Sequence, residues 1–298
     1  MRPAPFAYRA ASSAAEAVEV LAAEGNDAAV LAGGQSLLLD LRYRRVRPRL
    51  VLDINRAGEL AGVTASTESL RVGALVRHKE LEAVRVADPL AALLGRAARY
   101  VAHPAIRRRG TLAGSVAWAH PAAEWCALTA GLAGSVEVVS ASGTRLVRAA
   151  DWFTGWQRTA RLPDELVTAV WLPLLGGGTG VGFAEYRRSH GSFALAAAAT
   201  AVRVSDGRID WARIGLASAG ETPVRAAAAE RVLTGNPVSA ELLAAAADEA
   251  AREAQPVAEP HCSPEYRRQA LRVMVRRSLQ QALDGQVPDG AGLDGAGR

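Results

Sequence analysis

Two runs of small residues carry the groups in this chain best suited to holding an anion: AGGQSLL at residues 32–38 and RRRGTLAGSVAWAHPAAE at residues 107–124. Gly33 and Gly34 in the first, and Gly110 and Gly114 in the second, permit positive φ and leave backbone N–H groups uncovered, so successive donors can point at one ligand. The first run continues into LLLDLR, a short helical pattern. A helix start there adds N–H groups without intrahelical acceptors and a partial positive charge, worth about 0.3–1 kcal/mol for each anionic contact. Two such turns would close on one diphosphate. By themselves the glycines fit a plain strand-to-helix turn equally well. In the second run Thr111 and Ser115 offer hydroxyls, and Glu124 is a lone carboxylate among small apolar residues, suited to accepting from ribose or ribityl hydroxyls. The alternative for Glu124 is an alanine-rich helix bearing one solvated acid. The spacing lacks the G-x-G-x-x-G fingerprint and its acidic partner about 20 residues later, which argues against a Rossmann-type site.

The order of segments adds to this. After AGGQS come LVLDINR (50–56) and LRVGALVRHKELE (70–82), then RRRGTLAGS with HPAAE, DWFTG (151–155) and PDELVTAVWLP (163–173). FAEYRRSHGSFALAAAA follows from Phe183 and EYRRQALRVMVRRSL from Glu265. The series resembles, over nearly the whole chain, the flavin-binding medium subunit of the molybdenum hydroxylases, the group that includes aerobic carbon monoxide dehydrogenase and xanthine dehydrogenase. In that family the two loops read AGGxS and RNxGT(I/L)GG(S/N), the latter followed by a (D/S)-P-x-(A/S)-(D/E) element. The resemblance implies an α+β fold with a two-subdomain FAD-binding domain of the vanillyl-alcohol-oxidase/PCMH type. A C-terminal domain with a three-stranded antiparallel sheet and a helical bundle would follow it. It also implies non-covalent FAD, its pyrophosphate held by Ala32, Gly33, Gly34, Gln35, Ser36 and Leu37 and by Thr111, Ala113, Gly114 and Ser115. His120 falls at a position of the same site, Glu124 would bind flavin-side hydroxyls, and Val167 and Phe193 would flank the isoalloxazine. The implied partners are a molybdopterin-containing large subunit, a [2Fe-2S] small subunit and an electron acceptor that is NAD, a quinone or oxygen. The alternatives are a stand-alone FAD-dependent oxidoreductase of the same fold class and a flavin-free scaffold subunit.

Four positions depart from the family pattern. His120 stands where many relatives have Asp, Ala113 precedes Gly114 in place of Gly-Gly, Ser192 replaces an acid, and Glu185 replaces a common lysine. If Glu185 points inward, exchange of a cation for an anion is expected to lower the flavin potential. A bulky residue at Gly34 or Gly114, both expected at positive φ, is expected to abolish FAD retention.

The bulk properties are consistent with this reading. The 298 residues exceed what one hydrophobic core usually serves, so two domains are expected: 1–175, a glycine-rich linker at 176–180, 181–284, and a disordered tail at 285–298. The longest apolar run, 193–202, is half of what a bilayer span needs, and the N-terminus lacks a signal-peptide pattern, which points to the cytoplasm. Cys126 and Cys262 form no CxxC pair, so the chain alone supplies neither a disulfide scaffold nor an iron–sulfur cluster. The net charge of +5 rests on dispersed arginines, Lys79 being the only lysine, and no aromatic interleaving or nucleic-acid motif accompanies them. No triad or carboxylate pair suggests acid–base chemistry of the chain's own.

The elements that must position the loops are readable in part. Ser13 and Glu16 have capping-box spacing before a helix stopped at Gly25. Strands are expected at AAVL, LVLDI, LRVGAL and VTAVWLP, a hairpin turning at Ser142 and Gly143, and a helix from Pro89 to about Ala102. Beyond the linker the pattern gives three meander strands, turned once at Asp206–Gly207, then helices over 237–254 and 264–283. In the last helix Arg268, Arg272 and Arg276 form a solvated stripe opposite Met274 and Ser278.

Overall fold

The computed structural model describes residues 2–285. Its first layer is a parallel sheet in the order β1 (Ala7–Ala10), β3 (Leu50–Asp53), β2 (Ala28–Leu31). Helix α1 (Ala14–Glu24) crosses between β1 and β2, burying Ala17, Val18, Val20 and Leu21. Ser13 caps it, accepting from the Glu16 N–H, and Gly25 ends it at φ +53°. The Glu16 carboxylate accepts from the N–H and hydroxyl of Ser12, one residue upstream of a capping box. After β2 the chain turns through Gly33 and Gly34 into α2 (Leu37–Arg42). β3 ends on Asp53, about 20 residues beyond Gly33, so the acid thought missing is present. Its carboxylate is bound by the Tyr8 hydroxyl and by Asn55, and Asp53 is not among the residues that line the cavity described below.

The second sheet is antiparallel: β4 (Val63–Ala65), β5 (Ser69–Gly73), β10 (Leu166–Pro173), β6 (Ser135–Ser140), β7 (Gly143–Arg148). Its central strand β10 is buried on both faces, as its continuous apolar run requires. Between β5 and β6 run α3 (His78–Leu81), α4 (Leu90–Tyr100), α5 (Pro104–Arg107), α6 (Leu112–Trp118) and α7 (Glu124–Gly131), which carry the second small-residue run. Helix α8 (Ala149–Trp152) and the hairpin β8 (Phe153–Gly155) with β9 (Arg158–Thr159) lead back to β10.

The third sheet orders β11 (Thr179–Arg187), β12 (Ala194–Ser205), β13 (Arg208–Ala217) and β14 (Val224–Arg225), all antiparallel. The turn at Asp206–Gly207 holds, both residues lying at positive φ. The expected three strands gain a fourth, the two-residue β14, and an additional helix, α9 (Ala227–Leu233), precedes α10 (Ala240–Glu253) and α11 (Pro264–Asp284). The glycine-rich stretch is also shorter and less free than a flexible linker at 176–180. Thr179 and Gly180 already pair with Arg203 and Val202 in the sheet, and the amides of Leu175 and Gly176 donate to the Asp88 carboxylate at 3.0 and 2.8 Å. Most of the expected tail, 286–298, lies outside the described residues.

Strand β12 explains its own alanines. Ala197, Ala199 and Ala201 pack into one core with α4 and α7, while Ala196, Ala198 and Val202 pack into the other with α9, α10 and α11. Small side chains let both layers come close. A Cβ on Gly182 would stand 1.8 Å from the Ser278 carbonyl of α11, and one on Gly215 would stand 2.1 Å from the Ala127 carbonyl of α7. Helix α7, whose first residue is Glu124, is thereby clamped on β13.

Candidate functional site

The two small-residue turns meet. A Cβ on Gly33 would lie 2.5 Å from the Arg109 carbonyl and 2.6 Å from the Gly110 Cα, so only glycine lets the backbones approach this closely. A brace behind them sets their spacing: the Asn55 amide donates to the Ala32 carbonyl at 2.8 Å and its oxygen accepts from Arg77 at 2.6 Å. Arg77 donates onward to the Arg109 carbonyl at 2.7 Å, and the His78 amide to the Gly110 carbonyl at 2.9 Å. The first loop thus leaves the carboxyl end of β2 and is tied to the second through residues that follow β3 and β5.

Between the turns opens a cavity of about 820 Å³, within the range of small-molecule sites. Ala32, Gly33, Gly34, Gln35, Ser36 and Leu37 line it, as do Thr111, Ala113, Gly114 and Ser115. Glu124, Val167 and Phe193 line it as well. His120 does not; it stands behind Phe193, stacked on that ring at 4.3 Å and on Trp118 at 5.1 Å, with Trp156 against its edge. Burial pushes the His120 ring down to about 4, so it is neutral, and its Nδ1 accepts from the Ala122 amide at 3.1 Å. An aspartate there could form no such stack.

The second run is not a loop throughout. Thr111 is the N-cap of α6, its hydroxyl accepting from the Gly114 amide at 3.0 Å, and Gly114 is the third residue of that helix. Gly114 therefore does not adopt positive φ, contrary to expectation; a Cβ there would instead lie 2.7 Å from the Thr111 hydroxyl oxygen. Gly34 does adopt it, at +73°. The Ala113 amide, in the first turn of α6, lies at the cavity wall and suits an anion, whereas the Gly114 amide is taken by the Thr111 hydroxyl, the Glu124 amide by its own carboxylate and the Cys126 amide by the Ala123 carbonyl.

Glu124 is buried rather than solvated, at 5% exposure. Desolvation raises its pKa, opposed by its own amide and by the Arg187 charge. Glu185 does point inward. Its side chain is fully buried, and neither carboxylate oxygen has a hydrogen-bond partner. Ser192 closes a tight turn with Ser189, and Gly191 sits against the His103 ring, where a Cβ would come within 2.6 Å of its Cε1. That turn carries Phe193 to the cavity mouth.

Sequence reasoning missed several lining residues. Arg161 lines the cavity and donates to the carbonyls of Leu162, Pro163 and Glu165. Trp118 donates to the Asp40 carboxylate at 3.0 Å, tying α6 to α2. Arg161 belongs to no local motif, and Trp118, although inside the second small-residue run, enters the site through its tertiary pairing with Asp40. Among the described residues no group of His, Cys, Asp and Glu side chains is arranged to hold a metal, and no helix is long and apolar enough to cross a membrane.

The comparisons with known proteins agree with this geometry. Residues 4–175 match the FAD binding domain in molybdopterin dehydrogenase, and residues 182–282 match the CO dehydrogenase flavoprotein C-terminal domain. The chain is 37% identical over 295 residues to the 6-hydroxypseudooxynicotine dehydrogenase complex subunit alpha of Paenarthrobacter nicotinovorans, covering 99% of this chain and all of that one. It is 40% identical over 243 residues to caffeine dehydrogenase subunit beta of a Pseudomonas species, covering 81% of this chain and 82% of that one. Its fold superposes with a TM-score of 0.91 on a chain of carbon monoxide dehydrogenase from Hydrogenophaga pseudoflava, at 32% identity and covering 95% and 99% of the two chains. The converging glycine turns and these matches together identify the chain as an FAD-binding oxidoreductase subunit, a member of the medium-subunit family of the molybdenum hydroxylases.

Proposed function

We propose that FAD lies in the cavity between the two turns and that this subunit passes electrons from a partner [2Fe-2S] subunit through it to an external acceptor. Ala32 through Leu37 and Thr111, Ala113, Gly114 and Ser115 hold the diphosphate. Glu124 accepts from flavin-side hydroxyls, and Val167 and Phe193 border the ring system. The observation that carries this reading is the approach of Gly33 to the Arg109 carbonyl and Gly110 Cα, which brings two amide-bearing turns onto one ligand-sized space. The residues also fit the group chemically: uncovered amides for an anion, one buried acceptor for hydroxyls, and an aromatic cluster beside the mouth.

When bound, FAD supplies the redox chemistry, exchanging electrons with one-electron and two-electron partners. The protein's share is placement and shielding. The Asn55–Arg77 brace fixes the turns, the Ala113 amide at the start of α6 supplies a donor that does not titrate, and the aromatic cluster of Trp118, His120, Phe193 and Trp156 limits water at the mouth. We assign residues 1–175 to the FAD-binding unit and 181–284 to the C-terminal unit. The partners are a molybdopterin-containing large subunit and a [2Fe-2S] small subunit, with which the chain acts in the cytoplasm. The test is expression of the chain alone and with a molybdopterin subunit and a [2Fe-2S] subunit from the same organism. Alone it is expected to show flavin absorbance without hydroxylase activity; together the three are expected to co-purify in equal amounts. Substrate turnover by the isolated chain, or failure of the three to associate, would overturn the assignment.

A further inference from the structure

Glu185 presents a problem that the site just described does not use. It lies on β11, where Phe183, Glu185 and Arg187 are directed toward the first unit; Phe183 packs on Tyr100 at 5.2 Å and Arg187 lies over the same ring at 5.4 Å. Its carboxylate is sealed from solvent and makes no hydrogen bond. The nearest cation, Arg187, is 3.7 Å away, outside hydrogen-bonding range, and is already committed to the Tyr100 carbonyl at 2.7 Å and to His190 at 3.2 Å. An ionised carboxylate without donors is very costly to bury. The other acid acting on it is Glu124, whose own side chain is buried at the wall of the cavity. Two carboxylates in one desolvated site cannot both ionise readily.

We propose that Glu124 and Glu185 form a buried carboxyl pair in which Glu124 ionises first and Glu185 keeps its proton, so that the pair's single charge faces the cavity. Glu185 is thus a positioning residue acting through Glu124: by staying neutral it leaves Glu124 free to be the ionised acceptor. The inference rests on the FAD reading only for its consequence in binding. Every group facing the pair is consistent with it. Helix α7 brings Glu124 and Cys126, the latter a buried thiol that the Glu124 charge helps keep protonated. Helix α4 brings Arg96, which donates to the Val181 carbonyl, and Arg99, at the rim of a separate shallow cavity. β12 places Ala197 opposite Glu185, and α11 meets the opposite side of the strand through Tyr266, bonded to Tyr186. Burial and the Glu124 charge both raise the Glu185 pKa, and Arg187 opposes them only in part.

The consequence is proton linkage. Once pH exceeds the ionisation of Glu185, a second negative charge stands behind Glu124; FAD is itself an anion, so it favours the protonated acid, binding takes up a proton, and affinity falls as pH rises, by at most about tenfold per pH unit. It also means that Glu185 presents no negative charge to the flavin at neutral pH, and the lowered potential expected from a lysine-to-glutamate exchange is reduced. Two measurements on the full chain test this. Infrared spectroscopy of the FAD-free protein at about pH 8, above the ionisation of Glu124 and below that of Glu185, is expected to show a protonated-carboxyl stretch that is absent from Glu185→Gln. FAD titrations from about pH 7 to about pH 10 are expected to weaken in the wild type and to stay flat in Glu185→Gln, which mimics the neutral acid. A wild-type spectrum without that stretch overturns the pair whether or not FAD binds. A Glu185→Gln protein that keeps the stretch, or loses FAD with the wild-type pH slope, overturns it too. Absence of FAD binding at every pH, with the stretch present, refutes the site reading and leaves the pair standing.

Discussion

The Gly33→Ala substitution probes the meeting of the two turns with the smallest possible change. A methyl group at Gly33 would sit 2.5 Å from the Arg109 carbonyl oxygen and 2.6 Å from the Gly110 Cα, where ordinary contact begins at 3.4 Å. Both obstacles are backbone, and both are held by the Asn55–Arg77 brace, so no side chain can swing aside. The turns must part by roughly an ångström, and inserting one carbon into a packed site of this kind costs about 1–3 kcal/mol. If the strain falls on the amides that grip the diphosphate, FAD affinity drops about 5- to 150-fold. The assay is quenching of FAD fluorescence on titration with flavin-free protein, alongside a thermal melt without FAD to gauge what the fold itself loses. Gly58→Ala serves as control, since nothing lies within 4 Å of a Cβ there and Gly58 is not at positive φ. Affinity within about twofold of wild type in a folded Gly33→Ala protein would refute the claim that both turns grip one ligand.

Three further outcomes follow from the same geometry. Asn55→Ala removes the link between the Ala32 carbonyl and Arg77 and should cost about 1–3 kcal/mol, read as a lower melting temperature and weaker FAD retention; unchanged retention would show that the brace is not needed. His120 and His78 are held neutral by burial, down to about 4 and about 3, so between about pH 6.5 and 4 the unfolded chain binds more protons than the folded one. Stability should therefore fall as pH drops through that window, by at most about 1.4 kcal/mol per pH unit per histidine, and a melting temperature flat from pH 6.5 to 4 would contradict it. Gly182→Ala drives a methyl into the Ser278 carbonyl and should destabilise the fold by about 3 kcal/mol in a denaturant titration; a loss below about 1 kcal/mol would mean that β11 and α11 can separate freely.

What the sequence disclosed was mostly local. Ser13, Glu16 and Gly25 mark the ends of α1 because caps are made within a few residues, and the Asp206–Gly207 turn is legible because both residues accept positive φ. The cavity residues were legible because backbone access leaves a trace in small side chains. Thr111 as a helix cap was not, since its partner Gly114 looks like loop in a run of small residues, and the φ expected of Gly114 was wrong for that reason. Helix α9 begins at an alanine without a side-chain cap and offered no start signal. His120 reads as a cavity residue by position, yet Phe193, seventy-odd residues away, screens it from the cavity. The burial of Glu185 had no sequence trace at all: α4, which packs on β11, comes from another layer of the fold, and a strand of alternating residues gives no hint of which face becomes sealed.

Electron transfer through the cavity's FAD is tested most directly by rapid-mixing absorbance on the assembled complex, comparing wild type with a Gly34→Val complex, in which a β-branched residue is forced at φ +73°. On mixing with reducing substrate, the wild type is expected to bleach its iron–sulfur bands and then its flavin band, and to reduce the external acceptor. The variant is expected to lack the flavin band, to reduce its clusters at the normal rate, and to stall there. A flavin-free variant complex that still delivers electrons to the acceptor at the wild-type rate would contradict the account.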